Sequence, residues 1–224
     1  MKFLDVPQSG SWAGNTHSHN RAGQYRRNRR SPVQPVGTGR RAFIRSAFSA
    51  ASKGWSSLTA AEQSAWDSYA QLYPRVDRLG SSFKLTGSQM FIAIGTQLLN
   101  VGGSLPTDPP VSNTTTSPVV SAWTFDVGTT PAATLTLDGS GSADDFILVA
   151  FCLPLSAGRS FVPAWWQNQV VTGDATTVSD VLDDYEAEFG APVAGQRVFV
   201  KLTPVNQYGV TGTPVSQFAT VTAS

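Results

Sequence analysis

Residues 195–222, GQRVFVKLTPVNQYGVTGTPVSQFATVT, decide the fold of the C-terminal half. An alternating apolar run leads into an Asn and a Gly-containing turn, and a second run rich in Val and Thr follows. This is the pattern of two β-strands joined by a turn. Three similar runs precede it, each bounded by turn residues: VVSAWTF (119–125), ATLTLDG (133–139) and FILVAFCL (146–153). Residues 119–224 are therefore predicted to form an all-β sandwich.

The same ending resembles the last hairpin of fibronectin type III and related immunoglobulin-like domains. The resemblance covers about 30 residues, and the compatible strand pattern extends over roughly 100 residues, the size of such a sandwich. Domains of this kind have no built-in chemistry. The resemblance therefore implies a spacer or an adhesive surface.

Two further features lie within the β region. The acidic segment SDVLDDYEAEFG (179–190) predicts a short helix between strands, with Ser179 as its N-cap. The pair Trp165 and Trp166 would point to opposite sides of a strand. We expect one of these rings to pack in the core and the other to contact a partner, and a sugar-binding role is the alternative.

The charge of the chain is divided between its two halves. Residues 1–110 contain 13 Lys and Arg against 5 Asp and Glu, whereas residues 111–224 contain 3 against 10, giving +8 and −7. The sign changes near residues 104–118, which are rich in Pro, Ser and Thr and have no periodicity. This segment is predicted to link two domains, of which the first has an acidic partner.

Residues 38–103 predict a module of three helices. Ile44, Phe48, Ala51 and Trp55 have the spacing of one helical face. Thr59 with Glu62 forms a capping-box pattern at the start of a second helix, which Pro74 ends. The third segment, residues 86–103, has Thr86 or Ser88 as its cap and an apolar face that ends at a glycine pair. Its apolar residues are Met90, Ile94, Leu98 and Val101.

Residues 1–37 contain Gly, Ser, Asn, Arg and Pro with almost no apolar periodicity. Such a segment cannot bury enough surface to offset its ordering entropy alone, so we expect an extended arm that folds against a partner. Arginine forks bind carboxylates and phosphates, and aromatic side chains anchor interfaces. The predicted contact residues of the arm are Trp12, Arg21, Tyr25, Arg26, Arg27, Arg29 and Arg30.

The first half resembles a family of uncharacterised proteins from tailed phages and some bacteria. The likeness is carried by the Gly/Arg-rich start, by the motif W..LT..EQ..W...A and by a later Gly-turn-Phe segment. In this chain they are GSWAG (10–14), NRAGQYRRNRRSPVQP (20–35), the residues Trp55, Leu58, Thr59, Glu62, Gln63, Trp66 and Ala70, and LTGSQMF (85–91). The resemblance implies a head, connector or tail component of the virion.

A competing resemblance concerns residues 53–73, KGWSSLTAAEQSAWDSYAQLY, which are similar to the second helix entry of an HMG box. That likeness implies minor-groove binding and bending of DNA. Lys53 is the only lysine in the stretch, whereas an HMG box has a lysine-rich surface.

The sequence contains no Walker A, GxGxxG, HExxH or GxSxG motif. His17 and His19 lack further donors nearby in the arm, and Cys152 lies in an apolar run typical of a buried thiol. Residues 138–145, DGSGSADD, lack the Gly and Glu of a calcium loop and instead predict a polar hairpin turn. No catalytic residue, metal or cofactor is expected.

The sequence thus predicts an α+β multidomain protein with an extended arm, a small three-helix module and an immunoglobulin-like sandwich. The expected function is that of a non-enzymatic virion structural protein, located in the virion, which binds other virion proteins and forms a symmetric homo-oligomer. The expected contacts are those of the arm together with Trp165 and Trp166. An architectural DNA-binding protein is the alternative. No stretch approaches the ~20 apolar residues of a membrane span, so no membrane partner is expected.

Overall fold

A computed structural model describes residues 10–12, 15–20, 23–28, 39–76, 80–178 and 181–223. The fold is mixed α+β, as the sequence predicts. The chain divides into two compact units, Met1–Phe43 and Ile44–Ser224.

Three short strands form an antiparallel sheet in the first unit. They are β1 (Gly10–Trp12), β2 (Asn15–Asn20) and β3 (Gly23–Asn28), in the order β1-β2-β3. Gly10 lies opposite His17, and Asn20 lies opposite Gly23. The sequence analysis did not predict these strands, because their residues are polar and show no apolar alternation.

Three helices follow: α1 (Gly39–Trp55), α2 (Ala60–Leu72) and α3 (Gly87–Asn100). The predicted capping box at Thr59 is confirmed, since its side chain accepts from the Glu62 amide and Glu62 accepts in return from the Thr59 amide. Thr86 and Gln89 repeat this arrangement at α3. Both helices begin where the sequence indicates because side chains satisfy their first free amide groups. Two short strands, β4 (Arg75–Val76) and β5 (Ser82–Phe83), lie between α2 and α3.

The C-terminal part contains one curled seven-stranded sheet and a short helix, α4 (Val181–Phe189). The strand order is β10-β7-β6-β12-β11-β8-β9, and all pairs are antiparallel except the parallel pair β6 and β12. The strands are β6 (Val120–Asp126), β7 (Ala132–Leu137), β8 (Phe146–Phe151), β9 (Trp166–Thr172), β10 (Thr177–Val178), β11 (Arg197–Val205) and β12 (Val215–Thr222).

The main core lies on the concave side of this sheet. Because the sheet curls, Trp123 of β6 stacks on Phe151 of β8 with 5.6 Å between ring centroids. Tyr185 of α4 covers the same core, with its ring 5.1 Å from that of Phe125 and its hydroxyl donating to the Cys152 carbonyl at 3.0 Å. Ser179, the predicted cap of α4, lies outside the described residues, but the predicted helix itself is confirmed.

The helices pack on the opposite side of the sheet. A second buried cluster combines Trp66, Phe91 and Ile94 of α2 and α3 with Leu148 of β8 and Val205 of β11. Because side chains alternate along a strand, Leu148 and Val205 point away from the main core and receive the helices. Residues 44–224 therefore share two cores that are separated by one sheet.

Residues 104–118 contain neither helix nor strand, but hydrogen bonds fix them to both sides. The Trp66 indole donates to the Thr107 carbonyl at 2.9 Å. The buried Asn206 amide nitrogen donates to the carbonyls of Ser112 and Thr114 at 3.0 and 3.1 Å. The Asn206 side-chain oxygen also accepts from the Tyr208 and Val210 amides, so this side chain orders the turn after β11.

One prediction about connections was wrong. Residues 138–145 do not form a hairpin turn, because β7 and β8 are not neighbours in the sheet. The segment instead crosses between two separated strands, and the Asp145 carboxylate accepts from the Gln207 amide at 3.0 Å. Strand partners depend on contacts distant in sequence, which a local turn pattern does not specify.

A substitution at Gly209 can test how closely the turn after β11 packs against α3. It has a φ of +83°, and an added methyl group would lie 2.7 Å from Cγ of Leu98 and 2.9 Å from the Ile94 carbonyl oxygen. We expect Gly209→Ala to combine left-handed strain of about 1–2 kcal/mol with overpacking of about 1–3 kcal/mol. Gly102→Ala is the matched control, since Gly102 has a φ of +86° and no atom within 4 Å of the added methyl.

Denaturant unfolding followed by tryptophan fluorescence measures both variants. Gly102→Ala is expected to lose only the strain contribution, so Gly209→Ala loses clearly more stability. Equal losses would contradict the close packing of α3 on this turn.

Candidate interaction face

The outward side of β11 carries an unusual set of side chains for a strand. Val198, Val200 and Leu202 point into the main core, so the alternation sends Arg197, Phe199 and Lys201 to the other side. Phe199 lies opposite Phe218 of β12, and their ring centroids are 5.4 Å apart. The Arg197 guanidinium lies over the Phe218 ring, 4.7 Å from its centroid. Two cations and two aromatic rings thus share this surface.

Trp165 extends the surface to the start of β9. The Lys201 ammonium lies 5.0 Å from the centroid of the Trp165 ring, within the range of a cation–π contact. We define the interaction face as Trp165, Arg197, Phe199, Lys201 and Phe218. All but Phe218 are half-buried, whereas 46% of the Phe218 surface is exposed.

The interaction face has a local charge opposite to that of its surroundings. Residues 111–224 contain only three cations against ten carboxylates, and Arg197 and Lys201 are two of the three. Both charged groups lie over aromatic rings, within the range of cation–π contacts. Such a surface can bury aromatic area and bind carboxylates together.

Trp166 has a different position from its neighbour. Its ring packs against the main core and makes an edge contact with Phe189 of α4, with 5.6 Å between centroids. The two adjacent tryptophans therefore lie on opposite sides of the sheet, Trp166 toward the core and Trp165, just before β9, on the interaction face. Whether either contacts a partner stays a prediction.

The predicted contact residues of the arm lie only partly within the described residues. Trp12 belongs to β1, and Tyr25, Arg26 and Arg27 belong to β3. Arg21, Arg29 and Arg30 lie outside the described residues.

Helix α1 leaves part of its apolar face uncovered. Ala47 and Ala51 are buried, whereas Phe43 and Phe48 are 42% and 55% exposed. The basic residues Arg41 and Lys53 are exposed on the same helix. Phe48, which shares the predicted apolar face with the buried Ala51, is thus largely uncovered.

A cavity of about 420 Å³ lies between α2, α3 and the turn after β11. Tyr69 and Tyr73 form its aromatic wall, with 4.7 Å between ring centroids, and Arg75 and Gln97 contribute polar groups. The Tyr69 hydroxyl donates to the Asn113 side-chain oxygen, and the Asn113 amide nitrogen is buried without a partner. Burial raises the pKa of the Tyr69 hydroxyl, so it acts as a neutral donor at physiological pH.

Cys152 lies in a structural position and not in a reactive one. The prediction that Cys152 is buried is confirmed, since its side chain has no exposed surface and its sulfur accepts from the Phe199 amide at 3.3 Å. Burial also raises the pKa of this thiol, which lowers its thiolate fraction. Across the described ranges, no group of three or more His, Cys, Asp or Glu side chains is arranged to hold a metal ion.

No family model, no curated protein and no solved structure matches the chain.

In the part of the chain that the structure describes, no helix combines the length and apolar character needed to cross a membrane.

The sequence analysis identified Trp165 but missed the other four residues of the interaction face. A usable signal was present, because the alternating stretch RVFVK (197–201) sends its Arg, Phe and Lys to the side opposite its two valines. Phe218 could not be added from sequence, since its pairing with Phe199 depends on the register between β11 and β12.

The burial of Cys152 leads to a test of its reactivity. At about pH 8, where an exposed thiol is partly ionised, we expect Cys152 in the native chain to react far more slowly with a disulfide reagent than in the unfolded chain. The control is S156C in a Cys152→Ala background, because Ser156 is exposed. Labelling of native Cys152 as fast as that of the control would contradict its assignment as a structural thiol.

Proposed function

We propose that this chain is a non-enzymatic structural protein of a tailed-phage virion. Its basic arm and helical module bind other virion proteins, and its C-terminal domain projects from the assembly or lines a ring. The single observation that carries the proposal is the partition of charge, +8 in residues 1–110 and −7 in residues 111–224. A chain with two oppositely charged halves is suited to ordered contacts between many subunits.

We further propose that residues 119–224 form an immunoglobulin-like sandwich. The strand order supports this, because the curled sheet consists of one half with β10, β7 and β6 and another with β12, β11, β8 and β9. The halves meet at the parallel pair of β6 and β12, and they share one core. In immunoglobulin-like domains, two sheets likewise enclose a core of alternating inward side chains.

The surfaces of the chain support docking rather than chemistry. The interaction face combines three aromatic rings with two basic groups. Arginine and aromatic side chains are enriched among residues that dominate binding energy at protein interfaces. The proposed contacts of the arm, from Trp12 to Arg30, have the same composition.

The arm arginines provide the test of the proposed function. Replacing Arg21, Arg26, Arg27, Arg29 and Arg30 by Ser removes five positive charges and their bidentate donors. We expect incorporation into particles to fall by tenfold or more, since every ~1.4 kcal/mol of lost binding energy is a factor of ten. The matched control replaces the same five residues by Lys, which keeps the charge, and should incorporate better than the Ser variant.

Particles assembled with each variant, separated by sedimentation and quantified by mass spectrometry, give the measurement. Unchanged incorporation of the Ser variant would overturn the role of the arm.

The five arginines also favour the alternative, an architectural DNA-binding protein. For a chain that contacts Z phosphates of duplex DNA, the logarithm of the binding constant should fall with the logarithm of the salt concentration, with a slope of about −0.9Z. A titration of the chain with duplex DNA across a salt series separates the two functions. Weak retention that does not depend on salt would exclude the DNA-binding alternative, and tight salt-dependent retention would support it.

A further inference from the structure

We infer that the interaction face of one copy binds the acidic helix α4 of a second copy, so that the chain associates head to tail. This inference rests on the proposed function, because it names one contact within the proposed homo-oligomer. The interaction face comprises Trp165, Arg197, Phe199, Lys201 and Phe218.

The interaction face needs a partner that supplies carboxylates and some apolar surface. Its two cations lie over aromatic rings at 4.7 and 5.0 Å, and Phe218 keeps 46% of its surface exposed. Burying these rings without a carboxylate would desolvate both cations at a cost. An acidic partner with an apolar contact satisfies both requirements.

Helix α4 offers such a surface. Its exposed Asp183 and half-buried Glu186 are one turn apart, so their carboxylates lie on the same side of the helix. Val193 follows the helix four residues after Phe189 and is 66% exposed. Two carboxylates and an exposed apolar side chain thus occur within the 11 residues from Asp183 to Val193.

A nucleic acid is a poorer occupant of the interaction face, although aromatic and basic residues also bind single strands. The net charge of −7 in residues 111–224 repels a nucleic acid and a second copy alike at long range, so the difference lies in what each brings into contact. A nucleic acid carries a phosphate on every nucleotide, of which two cations neutralise only two, whereas Asp183 and Glu186 of a second copy match the two cations in number. Charge complementarity therefore favours the chain itself as the partner.

One copy can use both surfaces at the same time. Tyr185 and Val181 attach α4 to the main core, whereas the interaction face points away from that core. The two surfaces are different patches, so each copy can bind one neighbour through each of them. Contacts of this type generate rings when the rotation between copies closes, and open filaments when it does not.

Charge exchange on the full-length chain tests the contact. R197E/K201E makes the interaction face acidic, and D183K/E186K makes α4 basic. Each variant alone should associate with itself about tenfold or more weakly than the unmodified chain, because like charges then meet. An equimolar mixture of the two should regain association, since the acidic face of R197E/K201E meets the basic α4 of D183K/E186K, and the basic face of the latter meets the acidic α4 of the former.

Sedimentation velocity over a concentration series measures the association, and circular dichroism establishes that each variant is folded. K84E/R159E is the matched control, because it also reverses two exposed positive charges but outside the interaction face and α4, and it should associate like the unmodified chain. If R197E/K201E does not fold, F218S tests the same face and should also weaken association.

Three results would overturn the inference: an unmodified chain that stays monomeric throughout, variants that associate normally, or a mixture that does not recover. Incorporation into particles is scored separately. If the charge variants self-associate normally while the arm variant fails to incorporate, the head-to-tail contact is wrong and the virion function stands. If neither set of variants changes incorporation, the proposed function fails as well.

Discussion

Strand β11 has two different faces, and the rest of residues 44–224 is arranged around them. Val198, Val200 and Leu202 fill the concave side of the sheet and form the centre of the main core. The other side of the strand is divided along its length, since Val205 contacts the helices and Lys201 lies beneath Trp165. A shift of register by one residue would exchange these two sides, so the pairing of β11 with β8 and β12 must be fixed.

The turn after β11 is the second constraint, because it joins the strand to the helices and to residues 104–118. The Asn206 side chain is buried, yet its nitrogen donates two hydrogen bonds and its oxygen accepts two. Since a buried polar group without partners is costly, this complete set favours a single conformation of the turn. The turn in turn positions Gly209 against Leu98 of α3. The helices therefore pack against one end of the outer surface of the sheet, and the interaction face lies at the other end.

Local signals in the sequence were sufficient for much of this fold. The capping residues Thr59 and Glu62, the alternation from Arg197 to Leu202 and the acidic helix at Val181 each depend on neighbours within a few residues. The features that were missed depend on distant contacts or on weak patterns. Strand β9 contains Gln167, Asn168 and Gln169 and shows no apolar alternation, and the packing of Val205 on the helices joins residues far apart in the chain.

The same distinction applies to the functional surfaces. The basic arm is visible from composition alone, because five arginines within ten residues need no fold to be recognised. The interaction face required the structure, since Phe199 and Phe218 are neighbours only through the pairing of two strands. The interaction face is basic and α4 is acidic, so the two surfaces are complementary in charge. The net charge of +1 for the whole chain does not show this difference.

The claim that the outer side of β11 is a binding surface can be tested most directly by oxidative footprinting of the free chain and of assembled particles. We expect Trp165 and Phe218 to be oxidised in the free chain and protected by a large factor after assembly. Trp66 and Trp123 provide the internal controls, because they are buried in the two cores and should stay unreactive in both states. Equal oxidation of Trp165 and Phe218 before and after assembly would contradict the claim.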